Sequence, residues 1–258
     1  MVTVREAATV MLVRDDPDLQ VFMLRRNVDA EFVGGASVFP GGAVDPGDRA
    51  PEILERSHGC TDGEASALLA VPHGGLGVWV AAVREAFEEA GVLLARSAAT
   101  GEPVDLTAPG VAARFEAARG AVARGALRFL DLVIEHDLLL DLGALHLFSH
   151  WITPPGAPRR YDTWFFVAEA PEGHVYLHDD GETVASEWVR PADALARGQR
   201  GELELIFPTM RSLSVLTRFD TAAGFLDALR GIGPTPAAAM VPDHNGRRIR
   251  LPNDGQVA

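Results

Sequence analysis

Arg84-Glu85-Ala86-Phe87-Glu88-Glu89-Ala90-Gly91 is the stretch on which the reading of this chain turns. Glu85, Glu88 and Glu89 stand at i, i+3 and i+4, so a helix here sets three carboxylates side by side. Like charges at that spacing cost roughly 0.2–0.5 kcal/mol per pair. Gly91 reads as the residue just past the helix end, where the macrodipole is negative and acids are disfavoured a second time. Two readings fit. One is a solvated acidic face on which Arg84 pairs with Glu88 at i+4. The other is a site where something positive offsets both penalties, and a divalent cation with oxygen ligands is the natural candidate.

Outward from this stretch, Val80, Val83, Phe87 and Ala90 form an apolar stripe that predicts a helix over about 78–90. Before it, residues 49–77 read as an insertion, with helical pieces at 51–57 and 64–70 around a glycine-containing break at 58–63. Upstream, the apolar runs 7–14 and 20–25 are split by Asp15-Asp16-Pro17-Asp18, a strand–turn–strand pattern. Residues 36–39 predict a further strand that ends at Pro40-Gly41-Gly42, and Asp45-Pro46-Gly47-Asp48 is another turn signal. Downstream, 109–139 predict two helices broken near Gly120–Gly125. Strands are expected at 144–152, 161–169 and 184–189, and helices from Pro191 and at 207–217 and 221–230. The mixture is α+β: one domain over 1–232 with insertions at 49–77 and 105–140, then an extended tail at 233–258.

Composition narrows the function. In 258 residues, 36 acidic side chains outweigh 23 basic ones, a net charge of −13 that disfavours a nucleic-acid polymer as partner. Hydrophobic residues make up 47% and mean hydropathy is +0.08, which suits a well-packed core. No 18-residue apolar span and no signal peptide are evident, so no membrane partner and a cytoplasmic location are expected. Cys60 is the only cysteine, which leaves no disulfide framework and reads as an inert thiol.

Gly42, Asp48 and then Arg84 to Val92 resemble the Nudix box, G-x5-E-x7-R-E-U-x-E-E-x-G-U, where U is aliphatic. The second half matches closely, with Ala86 at a U position. The first half departs twice: Asp48 stands in place of Glu, and 35 residues (49–83) separate it from Arg84. Phe39-Pro40-Gly41-Gly42, the interrupted box, His150-Trp151-Ile152-Thr153-Pro154 and Arg160-Tyr161-Asp162-Thr163-Trp164-Phe165-Phe166 resemble the Nudix subgroup that includes peroxisomal coenzyme A diphosphatases. The longer motif of its coenzyme A enzymes is kept at Arg26, Gly35 and 39–42 but not at Leu24, Asn27 or Glu31.

That resemblance implies an α/β/α sandwich with a mixed sheet, and metal-dependent hydrolysis of a phosphoanhydride in a nucleoside diphosphate linked to another moiety. It implies Mg²⁺ or Mn²⁺ held by the Gly42 carbonyl, Glu85, Glu88 and Glu89, with Glu182 as a later carboxylate; a solvated acidic turn is the other reading of Glu182. Glu85 is a ligand or the general base, and Arg84 orients a glutamate. Arg25 and Arg26 at one strand end, and Arg159-Arg160 at another, are candidates to grip phosphate. Trp164 is a candidate to stack on a base, while Phe166 is expected in the core. The 49–77 insertion is where substrate preference is expected to reside. A nucleoside triphosphate pool sanitiser and a non-catalytic Nudix-fold ligand sensor are the competing functions, and a homodimer is expected by analogy alone.

Overall fold

Ala8, Val10 and Leu12 enter one hydrophobic core while Met11 and Val13 enter another, so β1 (Val4–Asp15) is covered on both faces. The computed structural model describes residues 2–29, 34–108, 110–174, 176–178 and 183–230; Glu182 and the expected tail at 233–258 lie outside them. After β1 come β2 (Leu19–Arg26), β3 (Ala36–Val38), β4 (Gly41–Ala43), a 3-10 turn (Pro46–Arg49), α1 (Pro51–Glu55), β5 (Ser57–His58), α2 (Asp62–Leu69) and α3 (Leu76–Ala90). Next are β6 (Ala95–Ser97), α4 (Val111–Ala123), α5 (Phe129–Glu135), β7 (Leu138–Asp141), a 3-10 turn (Leu142–Ala144), β8 (His146–Ile152) and β9 (Arg160–Glu169). The described chain closes with β10 (Thr183–Val189), α6 (Pro191–Gln199), β11 (Glu204–Leu205), α7 (Phe207–Leu216) and α8 (Ala222–Arg230).

The main sheet is mixed: β1 runs parallel to β9 and antiparallel to β2, with the path β11-β3-β2-β1-β9-β8. Helices α3, α4 and α5 share the core of one face; α6, α7 and α8 share that of the other. The α/β/α sandwich expected from the sequence is therefore present. The strands expected at 7–14, 20–25, 36–39, 144–152, 161–169 and 184–189 are all found, within a few residues. A small second sheet, β5-β7-β6, was not anticipated. Its strands are two to four residues long, too short to show alternation.

One irregularity of the main sheet positions the site. β9 occupies one edge of β1 along most of its length. The other edge is shared: residues 13–15 pair with β2, and residues 7–9 pair with β4. β1 and β2 diverge between these points, and the 36–43 segment fills the wedge. It pairs with β2 through Val38 and Leu24, then past Phe39-Pro40 with β1 through Gly41 and Thr9. A Cβ on Gly41 would lie 2.4 Å from the Ala8 carbonyl oxygen, so the wedge closes only around a glycine.

α3 lies across this wedge, and the inserted segment prepares its start. Thr61 and Glu64 form a reciprocal capping box that opens α2. Asp62 then accepts the Gly74 and Leu76 amides, each at 3.0 Å, and Ser66 Oγ accepts the Gly75 amide at 3.0 Å. Amides at the head of α3 are thus satisfied by the insertion rather than by a local cap, since Gly75 has no side chain to offer. The helix ends at Gly91, whose φ of 71° is left-handed, with Gly91 N–H bonding to Phe87 O and Val92 N–H to Ala86 O.

Phe166 is fully buried under α3, edge-on to Trp79 with centroids 4.7 Å apart. Phe166→Ala is expected to lower the unfolding free energy by about 3–5 kcal/mol in urea denaturation, because the rigid sheet–helix layer cannot collapse into the void.

Candidate active site

The acidic end of α3 faces the 3-10 turn and β4 through one side chain. Arg84 is 7% exposed, yet each of its five N–H donors has an oxygen acceptor. Nε and Nη2 form a fork on Asp48, at 2.9 and 3.0 Å. Nη2 also donates to the Ala43 carbonyl at 2.8 Å. Nη1 donates to Glu85 Oε1 at 2.8 Å and Glu88 Oε1 at 3.0 Å. Asp48 is 1% exposed and additionally accepts the Asp45 amide at 2.8 Å. Burial works against a charged Arg84, but Asp48, Glu85 and Glu88 outweigh it and hold the guanidinium protonated.

The remaining box residues close around this centre. Glu89 Oε2 accepts the Gly41 amide at 2.8 Å, and Glu89 Oε1 lies 3.9 Å from Arg26 Nη1. A Cβ on Gly42 would sit 2.4 Å from Glu85 Oε1, so only glycine lets the strand approach that carboxylate. Burial pushes the Glu85 carboxyl up to about 7, against the pull of Arg84 and with a further push from Glu88. Glu88 is raised as well, again chiefly by burial.

A cleft of about 950 Å³ opens over this edge, lined by Gly42, Arg84, Glu85, Glu88 and Glu89. Arg5, Arg26 and Arg159 also line it, as do Trp151, Phe165 and Phe207. The Phe165 and Phe207 rings pack edge-on to Trp151, with centroids 6.5 and 6.0 Å away. The cleft thus combines carboxylates, guanidiniums and an aromatic cluster.

Several expected contacts fall elsewhere. One arginine of each predicted pair lies away from the cleft, and for Arg25 the cause is strand alternation within β2. Arg26 lines it but Arg25 is exposed beyond it; Arg159 lines it but Arg160 does not, and Arg160 Nε donates to the Thr153 carbonyl at 2.9 Å. Trp164 is buried on the α3 face, stacked flat on His150 at 3.5 Å, so the ring the strand offers to the cleft is its neighbour Phe165. Phe166 is in the core as expected. No residue of 49–77 lines the cleft; the insertion instead bonds the amides at the head of α3. The position expected for Glu182 lies outside the described residues.

The Arg84–Glu88 pair expected at i+4 is present at the acidic helix end, and it is not alone there. Two guanidiniums of the chain itself supply positive charge there. One is Arg84; the other is Arg119 of α4, which is 3% exposed and donates to the Glu88 and Glu89 carbonyls at 2.9 and 3.0 Å. Arg119 was not singled out from the sequence. Its signal is a charged residue within the buried i, i+4, i+7 stripe Phe115, Arg119 and Val122.

Among the described residues no three His, Cys, Asp or Glu side chains already converge as a metal cluster. Glu85 and Glu88 are turned onto Arg84, and Glu89 onto Gly41 and Arg26. The donors available at the cleft are carboxylate oxygens beside a glycine main chain, a set that fits a hard divalent cation in kind.

Removing Arg84 strands a buried Asp48. Arg84→Ala is expected to cost about 3–5 kcal/mol of stability, the scale for breaking a buried ion pair from one side. The Asp48→Ala/Arg84→Ala double variant should lose less than the two single losses combined; additivity in a denaturation cycle would show the pair to be uncoupled.

Residues 59–216 match the NUDT19 Nudix domain family. The acyl-coenzyme A diphosphatase NUDT19 of Homo sapiens is 30% identical over 229 residues, which cover 78% of this chain and 61% of the human protein. The Gallus gallus protein of the same name is 29% identical over 263 residues, covering 84% of this chain and 69% of that one. This chain therefore spans about 61% of the length of the human relative. Among solved structures, a NUDIX hydrolase from Alicyclobacillus acidocaldarius superimposes with a TM-score of 0.68 at 29% identity, covering 88% of this chain and 97% of that chain. Sequence, fold and box geometry agree, and the chain belongs to the NUDT19 Nudix domain family.

Proposed function

We propose that this chain is a Nudix pyrophosphohydrolase that cuts the phosphoanhydride of a coenzyme A-type substrate with the help of Mg²⁺ or Mn²⁺. The observation that carries the reading is the cluster of Glu85, Glu88 and Glu89, tied by buried Arg84 and Asp48 to the Gly41–Gly42 strand at the lining of a large cleft. Glu88, Glu89, Glu85 and the Gly42 carbonyl would hold the cation. A bound cation supplies Lewis acidity to the phosphate oxygens and neutralises their charge.

The chain's own residues account for the rest. Arg84 fixes the side chains of Glu85 and Glu88, so neither needs to search for its working position. Glu85 serves as a further ligand or as the base that takes the proton of the attacking water. Arg26, Arg159 and Arg5 line the cleft and are suited to phosphate oxygens. Glu182 is retained in this reading as a later carboxylate. The aromatic cluster of Trp151, Phe165 and Phe207 supports a substrate that carries a base or another apolar moiety beyond its phosphates. The NUDT19 relatives, named as acyl-coenzyme A diphosphatases, point the same way. The net charge of −13 supports a small molecule over a nucleic-acid polymer. No helix among the described residues is long and apolar enough to cross a membrane. The same reading assigns the chain to the cytoplasm.

A panel of coenzyme A, a long-chain acyl-coenzyme A, NADH, ADP-ribose and dNTPs, each with Mg²⁺ or Mn²⁺, should show phosphoanhydride cleavage, fastest for the coenzyme A compounds and abolished by EDTA. Absence of cleavage across the panel would sink the proposal. In the same assay, Glu88→Gln is expected to lower kcat by roughly 100-fold or more, the scale of a lost catalytic group, with an unchanged circular dichroism spectrum. Near-normal turnover would remove Glu88 from the proposed centre.

A further inference from the structure

We propose that Arg119 is a positioning residue of the hydrolytic centre, holding Glu88 and Glu89 in place through their own main-chain carbonyls. The inference rests on the hydrolase reading above and deepens it. At the end of α3, the Gly91 turn satisfies the Ala86 and Phe87 carbonyls. The next two carbonyls belong to Glu88 and Glu89, two of the residues proposed to hold the cation. Arg119 reaches them from α4 with Nε at 2.9 Å from Glu88 O and Nη2 at 3.0 Å from Glu89 O. Nη2 also donates to Leu177 O at 2.8 Å.

The chemistry of this grip is specific. A guanidinium is a planar fork, so bonds to two successive carbonyls fix the rotation of the last helical turn as well as its distance. The side chains of Glu88 and Glu89 leave that turn toward the cleft, and a small rotation there moves both carboxylates. The guanidinium also brings positive charge to the negative pole of α3, where two adjacent acids are least favoured. A Lys at this position can donate to the same carbonyls but has no fork with which to orient them. The third bond joins the Leu177 segment to the same guanidinium, so one side chain links the helical insertion, the end of α3 and the approach to β10.

Arg119→Gln and Arg119→Lys in the full chain test this. Four quantities are read: kcat, KM, the Mn²⁺ dissociation constant without substrate, and Tm. Supporting groups behind metal ligands are typically worth 10–100-fold, so Arg119→Gln should lower kcat and weaken Mn²⁺ binding by roughly that factor, with little change in KM. Arg119→Lys should fall between Arg119→Gln and the parent. If Arg119→Gln does not fold, Arg119→Lys decides by the same two readouts. A lowered Tm with kcat and Mn²⁺ affinity unchanged would reduce Arg119 to a stabilising contact and overturn the proposal. If the parent chain binds Mn²⁺ but hydrolyses nothing, the hydrolase reading fails, and the Mn²⁺ affinity of the variants still judges Arg119.

Discussion

The constraint on which the rest of this structure depends is the complete engagement of one buried guanidinium. Arg84 sits in a nearly dry place with four oxygen-bearing partners, from the 3-10 turn, from β4 and from its own helix. Burying those charges separately would be prohibitive, since the effective desolvation penalty is several kcal/mol per ion. Together they are permitted because every donor of the guanidinium finds an oxygen. The geometry follows from that demand. β4 must come within reach of the helix, which requires glycine at 41 and 42, which in turn requires β1 and β2 to part and admit the strand.

Much of this was legible in the sequence because the signals are local. The α3 stripe, the Gly91 terminus, the turn residues between strands and the acidic triplet all sit within a few residues of one another, and local chemistry decides them. The box acids and Gly42 were placed correctly beside one another, although a long insertion separates them in the chain. What the sequence did not show is what depends on direction. Arg25 and Arg26 are adjacent letters, but strand pleating sends them to opposite faces, and only Arg26 lines the cleft. The same alternation exchanges Trp164 for Phe165. The grip of Arg119 on α3 spans some thirty residues of sequence and ends on main-chain carbonyls, which every residue possesses and which leave no trace in composition.

The cleft itself divides the labour between layers. Acidic groups come from the helix on one face of the sheet and reach the cleft through the wedge in β1's edge. Aromatic groups come from β8, β9 and α7 on the other face. A molecule lying in the cleft is thus met by chemistry-bearing residues at the wedge and by apolar surface on the strands. The helical insertions take no part in the lining apart from Ala123; they cap the two ends of α3 instead, through Asp62 at its start and Arg119 at its end.

The link between Asp48 and Arg84 has a consequence for how such proteins diverge. Closing a loop becomes costlier only with the logarithm of its length, so lengthening a connection from seven residues to 35 adds about 1.4 kcal/mol if the added chain is featureless. Here the added chain has its own capped helix and packs onto α3, which offsets that amount. The quantity under selection is the separation in space of a carboxylate and a guanidinium, not the count of letters between them. Relatives that keep the bidentate pair are therefore free to vary the intervening length, and a pattern written with fixed spacing will pass over them.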